Sequence, residues 1–393
     1  MVVRTFRVVF YFSLGIFIFI LIALTFQYVI NPKYTFPEPR SFNGEYLYNP
    51  YKGMDSTKWQ MANFHVHSKI DHGLTNGMAN TNQFIDRFYS FFGYKIIGIS
   101  DYQHINTYEN KNKWFIPAYE HGYQYYKTHH LVLNAKKVSW LDYFFYQTIS
   151  NKQTIIDQLK KDTAVIVAID HPVLRQAYSI NDFKYLNNFN CLEIANNQRV
   201  FRSFYDTILS AGHAVFIMAD DDAHDLTKTS EGCHSFNLVN TDLVGDSILY
   251  SIKTGRSVGV NFNVSSFKTN EEKKTVLQKL PKITSVNLKN DTLCIRLNKP
   301  VKSIKFIGQQ GVGKKILSNC TIATYSFSKS DTYIRTEIEC QDGTFYFLNP
   351  VFRYDGVPLP NYVSSYDAVK TWLWRSIVLI VLIMIFIIRK YNK

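Results

Sequence analysis

The 393-residue sequence contains few cysteines, and their spacing excludes one common kind of metal site. The five cysteines stand at positions 191, 233, 294, 320 and 340, and no two of them are separated by two residues. A zinc site built from thiolates needs such closely spaced pairs, so none is expected here. In an oxidising compartment Cys320 and Cys340 could pair across neighbouring strands, and the odd total leaves at least one thiol free or intermolecular.

The sequence also lacks a complete phosphate-binding loop and any motif for nucleic acid. Residues 308–315 read GQQGVGKK, but Lys315 stands where that loop requires a serine or threonine for magnesium. The residues that follow are β-like rather than helical, so the segment is interpreted as a hairpin turn. The 44 basic and 31 acidic residues give a net charge of +13, but the basic residues are scattered. No nucleic-acid partner is therefore expected.

Charged residues are absent from one long segment near the N-terminus and a shorter one near the C-terminus. Residues 8–32 carry no charge over 25 positions, more than the roughly 20 needed to cross a bilayer. No good cleavage site follows Ala23, so residues 1–32 are predicted to be an uncleaved anchor rather than a signal peptide. The apolar run 376–388 is preceded by Trp372 and Trp374, which favours a second transmembrane helix at 371–389. An interfacial segment is the alternative.

Basic residues outside the two runs predict the orientation in the cytoplasmic membrane. Arg4 and Arg7 precede the first run, and Arg389, Lys390 and Lys393 follow the second. Because basic residues concentrate on the cytoplasmic side, both termini should face the cytoplasm and residues 31–370 the opposite side. Without these five residues a charge of +8 remains, which would attract anionic membrane lipids or phosphorylated substrates.

Apolar runs that alternate with helical patterns predict an α/β fold. After a linker at 33–57, buried strands are expected at 60–65, 95–100, 131–134, 164–169, 191–194 and 215–218. Helices are expected between them, at 82–92, 141–160 and 201–211. This alternation indicates βα units in a closed or distorted barrel over 58–265, with functional groups at the C-terminal ends of strands. Short alternating strands over 275–355 indicate a small all-β, sandwich-like domain.

Histidines and carboxylates recur next to these apolar runs. His65 and His67 continue the first run, and strand alternation turns both side chains to one face. The other groups are Asp101 with His104, Glu120 with His121, His129 with His130, His171, and the segment DDDAH at 220–224. Such ligands suit zinc, manganese or iron, and a carboxylate can bridge two ions. Read singly, DDDAH could be a solvated acidic loop and His171 a helix cap, but together the groups predict a metal site.

The order of these motifs resembles the PHP (polymerase and histidinol phosphatase) superfamily of metallohydrolases over about residues 59–262. The resemblance implies a distorted (β/α)7 barrel and two or three divalent ions, and the following β domain is similar to that of the CehA-like branch. Its first ion would be held by His65, His67, Glu120 and Asp222. Glu120 would bridge to a second ion, held also by His171 and one member of the 129–130 pair. We expect that member to be His130, which directly abuts the following strand.

A third ion is where the sequence departs from the family pattern. The resemblance implies that His72, His224 and one further histidine would hold this ion. The family usually has an Asp-His pair where this chain has Asp101 and Tyr102. His104 is predicted to substitute, with coordination by Tyr102 or a weak or absent third site as the alternatives.

These features together predict a membrane-anchored, metal-dependent hydrolase. Its expected substrate is a phosphorylated small molecule, nucleotide or lipid head group, because two ions activate water and neutralise phosphoryl oxygens. Asp222 or His224 would pass a proton to the leaving group. Arg199 and Arg202 would bind phosphate, unless they only begin a helix at the surface. There are two alternatives. The protein could hydrolyse a carbamate or carboxylic ester, or it could be a non-catalytic binding module with a degenerate metal site.

Overall fold

The computed structural model describes residues 2–70, 77–197, 199–264, 267, 269–356 and 363–391. The helices are α1 (Val2–Ile30), α2 (Asn82–Phe92), α3 (Ile149–Leu159), α4 (Asp182–Tyr185), α5 (Arg202–Ser210), α6 (Gly245–Lys253), α7 (Asn270–Leu277) and α8 (Ala368–Tyr391). The strands up to residue 200 are β1 (Tyr34–Thr35), β2 (Tyr46–Tyr48), β3 (Trp59–Asn63), β4 (Ile96–Ile97), β5 (Ala118–His121), β6 (His130–Leu133), β7 (Ile166–Ile169), β8 (Cys191–Asn196) and β9 (Arg199–Val200). The later strands are β10 (Phe216–Asp220), β11 (Ser235–Asn240), β12 (Ser257–Asn261), β13 (Ile283–Lys289), β14 (Thr292–Ile307), β15 (Gly313–Ser326), β16 (Tyr333–Glu339), β17 (Phe345–Tyr354) and β18 (Ser365–Tyr366).

One six-stranded sheet has the order β10-β8-β7-β6-β5, with β9 paired to β8. Strands β7, β8 and β10 run parallel, and the helices α4 and α5 lie in the connections between them. Parallel neighbours need such crossovers, whereas antiparallel ones do not. Strand β6 is antiparallel to both β5 and β7, so this part of the sheet departs from a repeated βα pattern.

A ten-stranded sheet has the order β13-β14-β16-β17-β12-β11-β3-β4, with β15 paired to β14 and β2 to β17. Two isolated bridges connect the strand ends of the two sheets, Val66 with Ala223 and Tyr102 with Glu120. The sheets thereby curl into a half-barrel around the strand ends that carry the histidines. The predicted α/β architecture is present, but a closed barrel of seven βα units is not confirmed.

The strands of the predicted sandwich-like domain continue the ten-stranded sheet. Strand β17 pairs with β12, so that Val258 lies opposite Leu348 and Val260 opposite Tyr346. Strand β14 is continuous over 16 residues, whereas the sequence pattern predicted short strands throughout this domain. Residues 308–312 form its turn into β15, as expected for the glycine-rich segment.

Helix α2 illustrates how the sequence pattern produces the core. Ile85, Phe88, Tyr89 and Phe92 share one face at helical spacing and are buried. Each such side chain contributes roughly 1.5–3 kcal/mol when removed from water. The Thr81 side chain accepts a hydrogen bond from the Phe84 amide and caps the helix start, so this element matches the predicted range.

Helix α3 is shorter than the predicted helix at 141–160. Thr148 and Asn151 form a reciprocal capping box, which starts the helix at Ile149. The preceding residues form a loop in which the Asp142 carboxylate accepts hydrogen bonds from the Tyr123 and Tyr143 amides. These hydrogen bonds hold residues 141–147 in a loop against Tyr123, so these residues do not form part of the helix.

The terminal helices α1 and α8 pack against each other. By length and composition, Val9–Ile30 and Ala368–Tyr391 could each cross a membrane. The Trp374 indole donates a hydrogen bond to the Tyr28 carbonyl at 3.3 Å, and Arg375 donates to the Ile30 carbonyl at 2.6 Å. The start of α8 therefore meets the end of α1, and the strands β1 and β18 beside these helix ends pair with each other.

The five cysteines are unpaired. Cys320 lies on β15 and Cys340 directly follows β16, while β14 lies between these two strands. The two thiols are therefore not on neighbouring strands, and the disulfide considered from the sequence does not form.

Candidate metal centre

Four predicted ligands converge where the two sheets meet. His65 and His67 follow β3, Glu120 lies in β5, and Asp222 follows β10. His65 Nε2 is 3.3 Å from Glu120 Oε2 and 3.2 Å from Asp222 Oδ1. His67 Nε2 is 3.0 Å from the same glutamate oxygen and 3.2 Å from the same aspartate oxygen. The four atoms therefore surround one point.

The other carboxylate oxygen of Glu120 faces a second group of ligands. Glu120 Oε1 contacts His129 Nδ1 and lies 3.2 Å from His171 Nε2. The three atoms could hold an ion, as could the first four. One buried carboxylate thus contributes a separate oxygen to each cluster, which is the arrangement of a bridging ligand.

His129, and not His130, belongs to this second cluster. Adjacent residues at the start of β6 point to opposite faces, so only one of them can reach Glu120. The His130 ring lies instead beside Tyr178, whose hydroxyl is 2.9 Å from Nε2. The sequence predicted His130 instead, but its ring turns away from Glu120 because strand alternation, and not proximity to the apolar run, decides the direction.

The buried atoms of both clusters fit divalent ions. A tetrahedral zinc site with bonds of about 2.0–2.1 Å has ligand–ligand distances of about 3.3–3.4 Å, close to those of the first cluster. His65 Nε2 and Glu120 Oε2 are buried and lie 3.3 Å apart, yet neither makes a hydrogen bond to a described residue. Buried polar atoms normally have partners, so atoms that converge without hydrogen bonding are suited to a cation.

Charge within the centre favours ionised carboxylates. Burial alone would raise the pKa of the Glu120 carboxyl, but the neighbouring His129 and His65 rings hold it well below its usual range. The pKa of Asp222 is likewise lowered, because His65 and His67 outweigh the effect of its burial. Both carboxylates are therefore anionic and available to a cation near neutral pH.

Further carboxylates support the ligands. Glu193, in β8, lies with Oε1 3.3 Å from His65 Nδ1. Such a contact fixes which ring nitrogen carries the proton and leaves the other for a metal. Asp170 lies beside both residues and makes no side-chain hydrogen bond within the described chain. His65, Asp170 and Glu193 thus form a third buried group, which the sequence did not predict as a ligand set.

Other acidic residues near the centre hold the backbone instead of facing the clusters. The Asp101 carboxylate accepts hydrogen bonds from the Ser68 amide at 2.6 Å and from Asn106 at 2.9 Å. Asp221 accepts from the amides of Cys233, His234 and Ser235. Asp222 has a positive φ of 50°, and its amide donates to the His65 carbonyl. This turn separates Asp222 from its two acidic neighbours.

The residues predicted for a third ion do not form a third cluster in the described chain. His72 lies outside the described residues. His104 is exposed and belongs to neither of the two clusters. The His224 ring packs at 4.3 Å from the His67 ring, and its Nε2 lies 3.4 Å from the Tyr102 hydroxyl. Tyr102 stacks on His67 at 4.3 Å and forms one wall of the centre.

Of the two arginines predicted to bind substrate, Arg202 has its partners outside the centre. Arg202 forms an ion pair with Glu337 at 2.9 Å and stacks over Phe345 and Phe347. It therefore joins α5 to the continuing sheet. Arg199 is exposed on β9. A cation that does lie beside the centre is Lys127, whose ammonium is 4.9 Å from the Tyr102 ring centroid. In the sequence Lys127 stands close to His129, and this proximity to a predicted ligand could have identified it.

No protein-family model and no curated protein sequence matches the chain. Among solved structures, the chain is similar to a two-domain protein from Bacteroides vulgatus that contains a predicted PHP-like metal-dependent phosphoesterase. That match has a TM-score of 0.39 and 10% identity, and covers 84% of this chain and 99% of the other. The chain is also similar to PsfC from Pseudomonas syringae, with a TM-score of 0.37 and 10% identity over 56% of this chain and 99% of the other.

The buried His, Glu and Asp side chains of the two clusters could hold metal ions. The assignment of particular ligands depends on the geometry of this chain itself.

Proposed function

We propose that the protein is a phosphoesterase that depends on two divalent ions and is anchored in a membrane. The observation that carries the proposal is that the Glu120 carboxylate contributes Oε2 to one histidine cluster and Oε1 to the other. Zinc, manganese and iron all accept imidazole and carboxylate ligands. His65, His67, Glu120 and Asp222 would hold one ion, and Glu120, His129 and His171 the other.

Such a pair of ions, when bound, supplies an acidified water and neutralises charge on phosphoryl oxygens. The water oxygen bonds to phosphorus while the bond from phosphorus to the alcohol oxygen breaks, and a water proton passes to the leaving alcohol. Lys127 is placed to attract the phosphate, since its ammonium lies beside the Tyr102 wall. His224, partly exposed and beside His67, is placed to move the proton at Nε2.

The membrane location is supported by the two apolar terminal helices and by the basic residues at their outer ends. Arg4 and Arg7 precede one span, while Arg389 and Lys390 end the other, and two spans that each cross the bilayer once would leave these residues on one side. The bias in basic residues favours the cytoplasm for that side. The metal centre would then face away from the cytoplasm.

Metal analysis combined with a substrate screen tests the proposal. The full chain, purified in detergent and loaded with zinc or manganese, should hold two ions and hydrolyse phosphomonoesters or phosphodiesters. His65→Ala and Asp222→Ala should each lower metal content and abolish hydrolysis, whereas the matched control His104→Ala, at an exposed histidine outside both clusters, should do neither. Unchanged metal content in both cluster variants would refute the site. Activity on carboxylic esters or carbamates alone would refute the phosphoesterase.

A further inference from the structure

An exposed aromatic patch lies beside the first apolar helix. We define it by Tyr123, Tyr125, Trp140, Phe144, Phe145 and Tyr146. Trp140 is 66% exposed, Tyr125 66% and Tyr146 61%, values that are unusual for such large side chains in a folded protein. The Phe144 and Phe145 rings lie 5.4 Å apart, and the Tyr126 ring contacts the rings of both Tyr125 and Tyr146. The Tyr123 hydroxyl donates a hydrogen bond to the Trp140 carbonyl at 3.3 Å. Contiguous exposed apolar surface of this kind marks an interaction site.

The patch is joined to the end of the candidate membrane span. The Tyr28 ring, in the last turns of α1, contacts the Tyr143 ring at 5.2 Å and the Phe145 ring at 6.3 Å. The Tyr143 hydroxyl donates a hydrogen bond to the side chain of Asn31, directly after the helix. The patch therefore lies at the level where α1 would leave the bilayer, a region in which tryptophan and tyrosine are enriched.

Residues 140–146, which include most of the patch, are hydrogen-bonded to the strand that carries Glu120 and to the residues that follow it. The His121 ring nitrogen donates to the Leu141 carbonyl at 3.0 Å, and the Tyr123 amide donates to Asp142 at 2.9 Å. His121 and Tyr123 are one and three residues beyond the bridging carboxylate. Whatever surface the patch contacts is thus held close to the metal centre.

One cation lies beside the patch and another beside the centre. The Arg175 guanidinium stacks over the Tyr125 ring at 4.7 Å, and the Lys127 ammonium lies over Tyr102. Exposed aromatic side chains with neighbouring arginine and lysine fit the interfacial layer of a bilayer, where acyl carbons meet phosphate groups.

We infer that the aromatic patch inserts into the bilayer surface next to α1 and that the metal centre acts on phosphoesters of membrane lipids. The inference rests on the proposed function for its substrate, but the docking has its own readout. Continuity with the span selects a bilayer over a soluble protein as the partner, because the patch and the helix end share contacts through Tyr28 and Tyr143.

Docking is tested with the full chain in nanodiscs of phosphatidylcholine and phosphatidylglycerol whose acyl chains carry bromine, which quenches tryptophan fluorescence. If Trp140 inserts, Trp140→Phe should remove a quenched component of the emission. The control Trp114→Phe should not, because Trp114 is packed against the core. Equal quenching in wild type and Trp140→Phe would overturn the docking, whatever the enzyme activity.

The substrate is tested by replacing Trp140, Phe144 and Tyr146 with Gln together. Hydrolysis of phosphatidic acid and phosphatidylglycerol in the nanodisc should fall on the order of tenfold or more, because three apolar side chains no longer hold the centre at the lipid. Hydrolysis of soluble p-nitrophenyl phosphate should remain unchanged. The matched control replaces Val312, Ile316 and Ile322, exposed apolar residues on or beside β15, with Gln and should behave as wild type.

The outcomes separate the two proposals. Hydrolysis of p-nitrophenyl phosphate by the wild type without hydrolysis of nanodisc lipids would overturn the lipid substrate, and so would a lipid rate of the patch variant equal to that of the wild type. Absence of hydrolysis on every ester, with Trp140 still quenched by brominated lipid, would refute the phosphoesterase and support the docking.

Discussion

Glu193 contacts both ligand clusters at once, through His65 and the backbone of His171. Its Oε1 lies 3.3 Å from His65 Nδ1, and its Oε2 accepts a hydrogen bond from the His171 amide at 2.8 Å. Asn196 donates to the same Oε2 at 2.9 Å and fixes the carboxylate. Glu193 therefore sets the tautomer of a ligand to one ion and the backbone position of a ligand to the other.

We expect Glu193→Gln to weaken metal binding without removing a ligand. An amide group facing Nδ1 no longer favours a proton on that nitrogen, so Nε2 is less available to the metal. Loss of such outer partners typically lowers metal affinity about 10–100-fold. Titration against a competing chelator should show this loss, with full stoichiometry at saturating metal.

The control for this variant is Glu109→Gln, which replaces another buried glutamate that belongs to neither cluster. Its metal affinity should equal that of wild type. Equal affinities for all three proteins would exclude a positioning role for Glu193.

His129 and His130 give a sharper test of the second cluster. Removal of the ring in His129→Ala should reduce metal content from two ions to one, because Glu120 Oε1 and His171 then remain alone. His130→Ala should keep both ions and lose the contacts of the ring with Tyr178 and His121. Elemental analysis of the two purified variants distinguishes them. A reversed pattern would return the ligand to His130.

This pair also illustrates what the sequence can predict. His65 and His67 share a face whatever their strand pairs with, so their convergence follows from alternation alone. For His129 and His130 the direction depends on the register of β6 against β5, where His121 lies opposite His130. Register depends on contacts distant along the chain, and a shift of one residue exchanges the faces.

The continuation of the sheet beyond β12 was missed for a similar reason. The pairing of Val258 with Leu348 joins residues far apart in sequence, and no local pattern specifies it. Arg202 was assigned to substrate because a cation after a strand end resembles a phosphate ligand. Only the fold shows that Glu337 is its partner.

The ion pair of Arg335 with Asp206 is expected to stabilise the junction between α5 and β16. Arg335 is 2% exposed, and its Nη2 lies 2.8 Å from Asp206 Oδ2. Removing one partner leaves an unpaired buried charge, so Arg335→Met should lower the free energy of unfolding by about 3–5 kcal/mol. Urea unfolding in detergent micelles measures the change.

The matched control is Lys302→Met, which breaks the 2.7 Å pair with Glu339 on the same sheet. The Lys302 side chain is 58% exposed, so we expect about 0–1 kcal/mol. A loss as small for Arg335→Met as for this control would show that solvent reaches the buried pair.

The stability of the protein is expected to depend on pH through Asp142, whose carboxylate accepts a hydrogen bond from the Tyr123 amide. Burial raises the pKa of its carboxyl from 3.8 to about 6, against the lowering effect of its hydrogen bonds. The folded protein thus holds this proton more tightly than the unfolded chain, so the contribution to stability is largest below pH 3.8 and is lost as pH rises through 6. A shift of about two pKa units corresponds to ~3 kcal/mol.

The unfolding free energy of wild type minus that of Asp142→Asn should therefore fall by up to ~3 kcal/mol between pH 4 and about pH 6.5. The corresponding difference for Asn151→Ala, which removes no titrating group, should stay constant. A difference for Asp142→Asn that rises with pH would mean that the hydrogen bonds to its carboxylate outweigh its burial.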